Sequence, residues 1–434
     1  MNKKLSKLIV GAFALVLSVL NANAQTQLFT SDKNNQPGYR IPSIVRFSDG
    51  KNGVAKGGLW AFADLRYQGG DIGGNNPIDI TSRKLVDGTS SWTEPVLITH
   101  RNNSSQGYDF AFGDAATVAD RESGKILLMT AAGRYGVWNT PAGNPNVARH
   151  VYDPKTGKWT TTEATTQFYG PNNTYANNLF VSSGRMIQST IYKKDKYYRI
   201  YAAICTVGGN GSRVAYSDDF GETWSYLGGP TASPIPDGDE CKVEELPDGS
   251  ILLNAKRYNK KENGKTYYGR CINIFTFTDV ANGEGSWDKV VTSGTENVND
   301  QTFTANCNAE IMLVPARKQS DGSQTYLLLL AGPNSTARNN GCIFWKELPS
   351  TAAEYRKPSN YVSGWSKYVY SPNTYCAYIT MTLDKDGNIA LLDENGGISY
   401  RNYPLSTITG GAYTYHVSAK GTYHTSSEPT FVKQ

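Results

Sequence analysis

Short apolar runs, each opened by a turn that ends in glycine, return along this chain at a nearly constant interval. They read KGGLWAFAD at Gly58, ESGKILLMTAAG at Gly124, SSGRMIQSTIY at Gly184, PDGSILLNAKR at Gly249, SDGSQTYLLLLAG at Gly322 and KDGNIALLDENG at Gly387. Successive glycines stand 60 to 73 residues apart. A polar turn with glycine followed by four or five apolar or β-branched residues is a hairpin signal. Six of them at one period, with few helical patterns between, predict an all-β chain built as a six-bladed β-propeller of four-stranded blades. A β-sandwich array could carry the same turns, but nothing in it would impose the period. The abundance of glycine and tyrosine, 43 and 28 residues, fits strands joined by tight turns.

The first residues, MNKKLSKLIVGAFALVLSVLNANAQ, place lysines ahead of an apolar run and a small-x-small site at Ala22-Asn23-Ala24. This is the pattern of a signal peptide over 1–24, so residues 25–434 are expected as a single propeller domain, secreted or periplasmic. The apolar run is short for a membrane span, and no later segment approaches the roughly 20 residues a span needs. Loss of the three leading lysines lowers the formal charge of +5 by three, to +2. With basic residues scattered rather than clustered, no nucleic-acid partner is expected.

Six cysteines, Cys205, Cys241, Cys271, Cys307, Cys342 and Cys376, include no C-x-x-C pair. In an exported chain they allow one or two disulfides without requiring them. The four histidines lack ligand spacing, so no metal and no cofactor are expected.

A second pattern recurs inside the first. In YSDDFGETW, Ser217 to Trp224 follow S-x-D-x-G-x-T-W, in which Asp219 can accept from turn amides, Gly221 can take positive φ and Trp224 can pack beneath the hairpin. Degenerate copies run from Val86 to Trp92, Tyr152 to Trp159 and Asn282 to Trp287. These turns are read as structural. Near the other end of the chain, PGYRIPSIVRF sets a permanent cation, Arg40, in a strand-like apolar stretch.

Such aspartate-box hairpins together with Tyr-Arg-Ile-Pro resemble the exo-sialidase (neuraminidase) family, whose catalytic domain is a six-bladed propeller. The resemblance covers residues 27–405. It implies an exo-α-sialidase that removes terminal sialic acid from sialylated glycans with retention of configuration, without cofactor, and a monomer is expected. A sialoside carries a carboxylate on its anomeric carbon, and arginine's planar fork matches a carboxylate and never loses its proton. Three arginines converging on the propeller axis would hold it. Arg40 matches the first and Arg338, in STARNNGCIFW, the third. For the second, relatives read Asn-x-Arg after a strand, which falls on Lys256, with Arg257 next. Arg257 is expected to serve, turned inward by a one-residue bulge, because lysine offers only a point charge.

The same substrate charge would repel a carboxylate nucleophile, and sialidases with a tyrosine nucleophile are an exception to the two-carboxylate rule. Tyr375, in SPNTYCAYITM, matches that nucleophile. Its helper is expected to be Glu240, in DGDECKVEELPDG, with Glu244 and Glu245 as competing candidates. Glu394, in LLDENGGISY, matches the residue that pairs with the first arginine. Asp71, in FADLRYQGGDIGG, matches the acid/base on a glycine-rich loop about one residue shorter than in relatives, so Asp64 and Asp79 remain alternatives. Arg66 matches a residue on the 4-position side of the ligand, Asp114 a pocket aspartate near the N-acyl and 4-hydroxyl groups, and Trp138 is a candidate for the acyl pocket. Two other functions are weighed: a glycosidase of the same fold for a deaminated or modified nonulosonic acid, and a non-catalytic carbohydrate-binding propeller, which would be expected to lack the Tyr375/Glu240 pair.

Overall fold

The structure is a computed structural model and describes residues 25–31, 37–47, 57–74, 76–137, 146–176, 178–207, 211–257, 260–262, 265–267, 269–293 and 307–416. The expected signal peptide and Trp138 lie outside the described residues. Strands make up 55% of the chain and helices 7%, arranged as a six-bladed β-propeller, so the predicted fold class holds.

The first five blades are antiparallel meanders of four strands in chain order. The first runs Gly38–Phe47, Gly58–Arg66, Ile78–Val86 and Val96–Leu97, and the second Phe112–Ala119, Ile126–Ala132, Val147–Asp153 and Lys158–Glu163. The third is Ile187–Lys194, Tyr197–Thr206, Ser212–Ser217 and Ser225–Tyr226, and the fourth Gly238–Glu245, Ile251–Arg257, Arg270–Asp279 and Glu284–Trp287. The fifth is Glu310–Lys318, Gln324–Pro333, Asn339–Glu347 and Ser366–Tyr375. The sixth takes Ala377–Leu383, Ile389–Glu394 and Gly397–Tyr403 from late in the chain, and its outer strand is Thr26–Thr30 from the beginning.

Four of the six repeating glycines sit in left-handed turns between the first and second strands of a blade: Gly124, Gly249, Gly322 and Gly387 have φ of 71°, 86°, 73° and 77°. Gly58 opens a second strand. Gly184 departs from the predicted pattern. It enters a two-residue strand, Gly184–Arg185, that pairs in parallel with Phe112–Ala119, and the third blade turns instead on Asp195 at φ 49°. A Cβ on Gly184 would lie 2.5 Å from Lys242 Nζ and 2.8 Å from Glu310 Oε2, so close packing at the axis requires glycine here.

Around that axis the innermost strands carry buried polar groups. Lys242 faces Glu310 at 3.7 Å, Arg185 pairs with Glu244, and Ser43 bonds Thr117 at 2.5 Å. Between blades the faces are apolar, as alternation along each strand requires. Trp60, Phe62 and Trp159 join the first two blades, and Leu391, Ile379 and Leu329 the last two. All six cysteines are buried and unpaired, so the cores hold without disulfides.

In the turn from Ser217 to Trp224, Asp219 accepts from the Thr223 amide at 2.9 Å, and Ser217 Oγ accepts from the Gly221 amide at 2.8 Å. Trp224 donates to the Gly221 carbonyl at 3.2 Å and packs on Phe168. These bonds satisfy the turn from within, as the sequence predicted.

Candidate active site

Functional side chains gather where the innermost strands begin, at one end of the axis, and the backbone there is forced. Ile41, Asp114, Arg338 and Tyr378 all have positive φ, at 52°, 57°, 57° and 42°. For a β-branched or bulky residue this is a costly conformation that surrounding structure must impose, and such strain collects at functional sites. At Ile41 the cause is visible: the first strand slips register between Arg40 and Ser43, and the Ile41 amide donates to Glu394 Oε1 at 2.7 Å.

Arg40 is thereby turned into the cleft. Its Nε lies 3.3 Å from Glu394 Oε2 and its Nη1 3.3 Å from Asp71 Oδ1. Burial works against its charge, but Glu394, Tyr378 and Asp71 together outweigh it and the guanidinium is held protonated. Arg66, buried at the end of its strand, donates to Asp64 at 2.9 and 3.2 Å and also pairs with Asp71. Asp71 itself is open, its side chain 72% exposed. Partial burial pushes its carboxyl up, yet Arg66, Arg40 and Arg338 prevail and hold it below the usual range. Behind Arg66, Asp64 and Asp114 form a close pair in which the Asp114 amide donates to Asp64 Oδ1 at 2.9 Å. Burial, then mutual repulsion in the case of Asp114, raises their carboxyls to about 6 and about 7 against the pull of Arg66.

The alternatives for Asp71 are accounted for elsewhere. Asp64 is fully buried under Arg66. Asp79 accepts from Thr99 at 2.9 Å, the Arg101 amide at 3.0 Å and Tyr67 at 3.2 Å, away from the cleft. The competitors of Glu240 are likewise engaged in the axis. Glu244 bonds Arg185 and the Leu313 amide, and Glu245 bonds Ser189 and Thr190.

Two expectations are corrected. Tyr375 does not meet Glu240. It ends the outermost strand of the fifth blade, 45% exposed, where it lines the mouth of the cleft with Arg40, Arg66 and Glu394 and bonds Arg338. The phenol against Glu240 belongs to Tyr378, whose oxygen lies 2.6 Å from Glu240 Oε1. Tyr378 opens the innermost strand of the sixth blade, and its ring lies between two guanidiniums, Arg40 at 5.2 Å and Arg338 at 5.7 Å from the centroid. Burial, and then the negative Glu240, push this phenol well above its ordinary value, so the shared proton stays on oxygen. A signal was present in the repeat: Tyr378 stands nine residues before Gly387, as Glu240 stands nine before Gly249, whereas Tyr375 stands twelve before.

Arg257 is the second correction. It shares a strand face with Ala255, against Cys271, and alternation sends Lys256 to the opposite face. The bulge expected beside Arg257 lies on the facing strand instead, between Gly238 and Cys241. There it turns Asp239 and Glu240 toward Lys256, whose Nζ is 2.8 Å from the first and 3.1 Å from the second.

Beside these groups, Arg40, Arg66, Tyr375 and Glu394 line a pocket of about 440 Å³. A larger cavity of about 540 Å³ beside Asp248, Tyr326 and Tyr355 lies between other blades. Among the described residues no three His, Cys, Asp or Glu side chains are grouped as metal ligands. The site can fix an anion beside a buried phenol that has a carboxylate at hand to receive its proton.

No family model matches the chain. It is similar to a sialidase of Micromonospora viridifaciens, 25% identical over 397 residues, which are 89% of this chain and 54% of that protein. It also resembles a sialidase of Paraclostridium sordellii, 28% identical over 274 residues, 60% of this chain and 61% of that protein. The chain thus spans about half to three-fifths of the length of these relatives. Among solved structures, a Hadza microbial sialidase superposes with TM-score 0.62 at 20% identity, over 88% of this chain and 69% of that one. A leech intramolecular trans-sialidase in complex with 2,7-anhydro-Neu5Ac gives 0.61 at 17%, over 90% and 71%. An intramolecular trans-sialidase from Ruminococcus gnavus in complex with oseltamivir carboxylate gives 0.59 at 16%, over 88% and 98%. At these identities the structural likeness concerns the fold.

Proposed function

We propose that this chain is an exported exo-α-sialidase that hydrolyses terminal sialic acid from glycoconjugates with retention, using Tyr378 in place of the expected Tyr375 as nucleophile. The observation that carries the reading is the Tyr378–Glu240 hydrogen bond at 2.6 Å, flanked by Arg40 and Arg338. The similarity to sialidases over most of the chain supports the substrate class.

In this mechanism the substrate carboxylate lies between Arg40 and Arg338. The phenolic oxygen of Tyr378 attacks the anomeric carbon as its proton passes to Glu240, and a neutral nucleophile approaching a charged sugar avoids the repulsion a carboxylate would meet. Asp71 protonates the departing glycosidic oxygen and then takes a proton from the water that frees the sugar. Asp71 needs a proton for the first step, although Arg66 and Arg40 favour its ionised form. A substrate carboxylate competes for Arg40 and adds negative charge nearby, and both effects raise the proton affinity of Asp71 once the sugar is bound. Arg66 and the Asp64–Asp114 pair form the wall on that side. Tyr375, at the mouth, faces the leaving group.

Incubation with a chromogenic N-acetylneuraminic acid glycoside, with the product anomers followed by NMR, tests the reading. Release of the α-anomer first is expected. The β-anomer appearing first would rule out retention, and absence of any released sugar would remove the sialidase reading.

A further inference from the structure

Lys256 stands where the resemblance to sialidases would place the second arginine, and its ammonium is already engaged. The register shift between Gly238 and Cys241 turns two consecutive carboxylates onto it, Asp239 at 2.8 Å and Glu240 at 3.1 Å. Each carboxylate has a further partner on its other oxygen: the Cys205 thiol lies 3.1 Å from Asp239 Oδ1, and Tyr378 lies 2.6 Å from Glu240 Oε1. Lys256 is 9% exposed and Glu240 8%, so their charges are poorly screened by water. Two neighbouring carboxylates repel each other, and a cation in contact with both offsets that repulsion. Burial alone would weaken the Lys256 charge, but Glu240 and Asp239 outweigh it and hold the ammonium firmly protonated.

Other charged and titratable groups act on Glu240 from around it: Lys242 on its own strand, Arg270 on a neighbouring one, Cys307, and Asp114. Among the described residues, Lys256 is in ion-pair contact with it. Two of the ammonium's three donors face carboxylates, whose combined charge already exceeds its own. Arg40, itself paired with Glu394 and Asp71, and Arg338 stand beside the Tyr378 ring, where the substrate carboxylate must come.

On the sialidase reading above, we propose that Lys256 is a positioning residue for Glu240 and not a ligand of the substrate. It holds the proton-accepting carboxylate aimed at the Tyr378 phenol, while the substrate carboxylate is gripped by Arg40 and Arg338 alone.

The test compares wild type, Lys256→Met and Lys256→Arg on a chromogenic N-acetylneuraminic acid glycoside, with kcat and KM measured from about pH 4 to 8. For Lys256→Met the expected result is a loss of about 100-fold in kcat, KM within about threefold, and an acid limb of kcat/KM displaced upward by about one pH unit. Lys256→Arg should restore the limb and leave KM within about threefold of wild type. A rise in KM of about tenfold or more in Lys256→Met, with kcat and the limb unchanged, would overturn the inference. So would a fall in KM of about fivefold or more in Lys256→Arg, since a fork that gripped the substrate would hold it more tightly than lysine does. If Lys256→Met fails to fold, the KM of Lys256→Arg decides. An inactive wild type would instead remove the sialidase reading itself, so the two failures are distinguishable.

Discussion

Removing the phenolic oxygens of Tyr378 and Tyr375 should have unequal consequences. Tyr378→Phe deletes the atom held by Glu240 and leaves the packing of the ring between Arg40 and Arg338 unchanged. Its kcat on a chromogenic sialoside is expected to fall by about 1,000-fold or more, with circular dichroism unaltered. Tyr375→Phe, at an exposed position, should stay within about tenfold of wild type. Asp71→Asn should depress activity on a natural sialoside much more than on an aryl glycoside whose leaving group needs no proton, and equal losses would make Asp71 structural. The Asp64–Asp114 pair makes a prediction about stability. Its carboxyls titrate at about 6 and about 7 in the folded chain, above the ordinary value of about 3.9. The folded state therefore binds more protons than the unfolded state between about pH 4 and 7, and stability should decline as pH rises through that window. Asp114→Asn removes one of the two acids. Its Tm relative to wild type should rise from about pH 4 to about pH 7, and a difference independent of pH would contradict the account. At this scale much was legible in the sequence, since Arg40, Arg66, Asp71, Asp114, Glu240, Arg338 and Glu394 converge. Tyr378 was not, because with 28 tyrosines in the chain residue type carries little information and only position within a strand separates Tyr378 from Tyr375.

Strand phase is what separates such neighbours. Lys256 and Arg257 differ by one residue and so point to opposite faces, and the bulge that was expected to reverse them formed on the other strand of the pair. Here the bulge brings the two carboxylates after Gly238 to the Lys256 ammonium, on the face opposite Arg257. Arg257→Ala should accordingly leave kcat and KM within about threefold of wild type. The turn from Ser217 to Trp224 is the contrasting case, since the side-chain bonds of Ser217 and Asp219 lie within its own eight residues. Asp219→Ala removes acceptors from the Thr223 amide and hydroxyl and from Ser217. It should cost about 1–3 kcal/mol in urea unfolding while KM is unchanged. Because its partners are local, this turn could be read residue by residue from the sequence.

Over the whole molecule, the ring closes where Thr26–Thr30 completes the sixth blade against Gly397–Tyr403. Leu28 and Phe29 are each 2% exposed in that seam. Phe29→Ala is expected to cost about 3–5 kcal/mol, as large-to-small changes in a core do. Because Gly397–Tyr403 carries the seam, amide hydrogen exchange should quicken along that strand before it does in the third blade. Exchange that rises equally in all blades would show that closure is not local.

Six glycine turns, each leading to an apolar strand and spaced 60 to 73 residues apart, made the number and class of the blades readable in the sequence, because such units bury their faces by stacking on one another. It also supplied most of the charged residues of the site. Packing of the whole chain was needed for the first strand to close the last blade, for Gly184 to serve the axis and not a hairpin, and for Tyr378 and Lys256 to face Glu240. One cause underlies all three. Turn chemistry depends on residues a few positions apart, whereas register, bulges and ion pairs across the axis depend on groups that are remote in sequence and meet only when six sheets have packed.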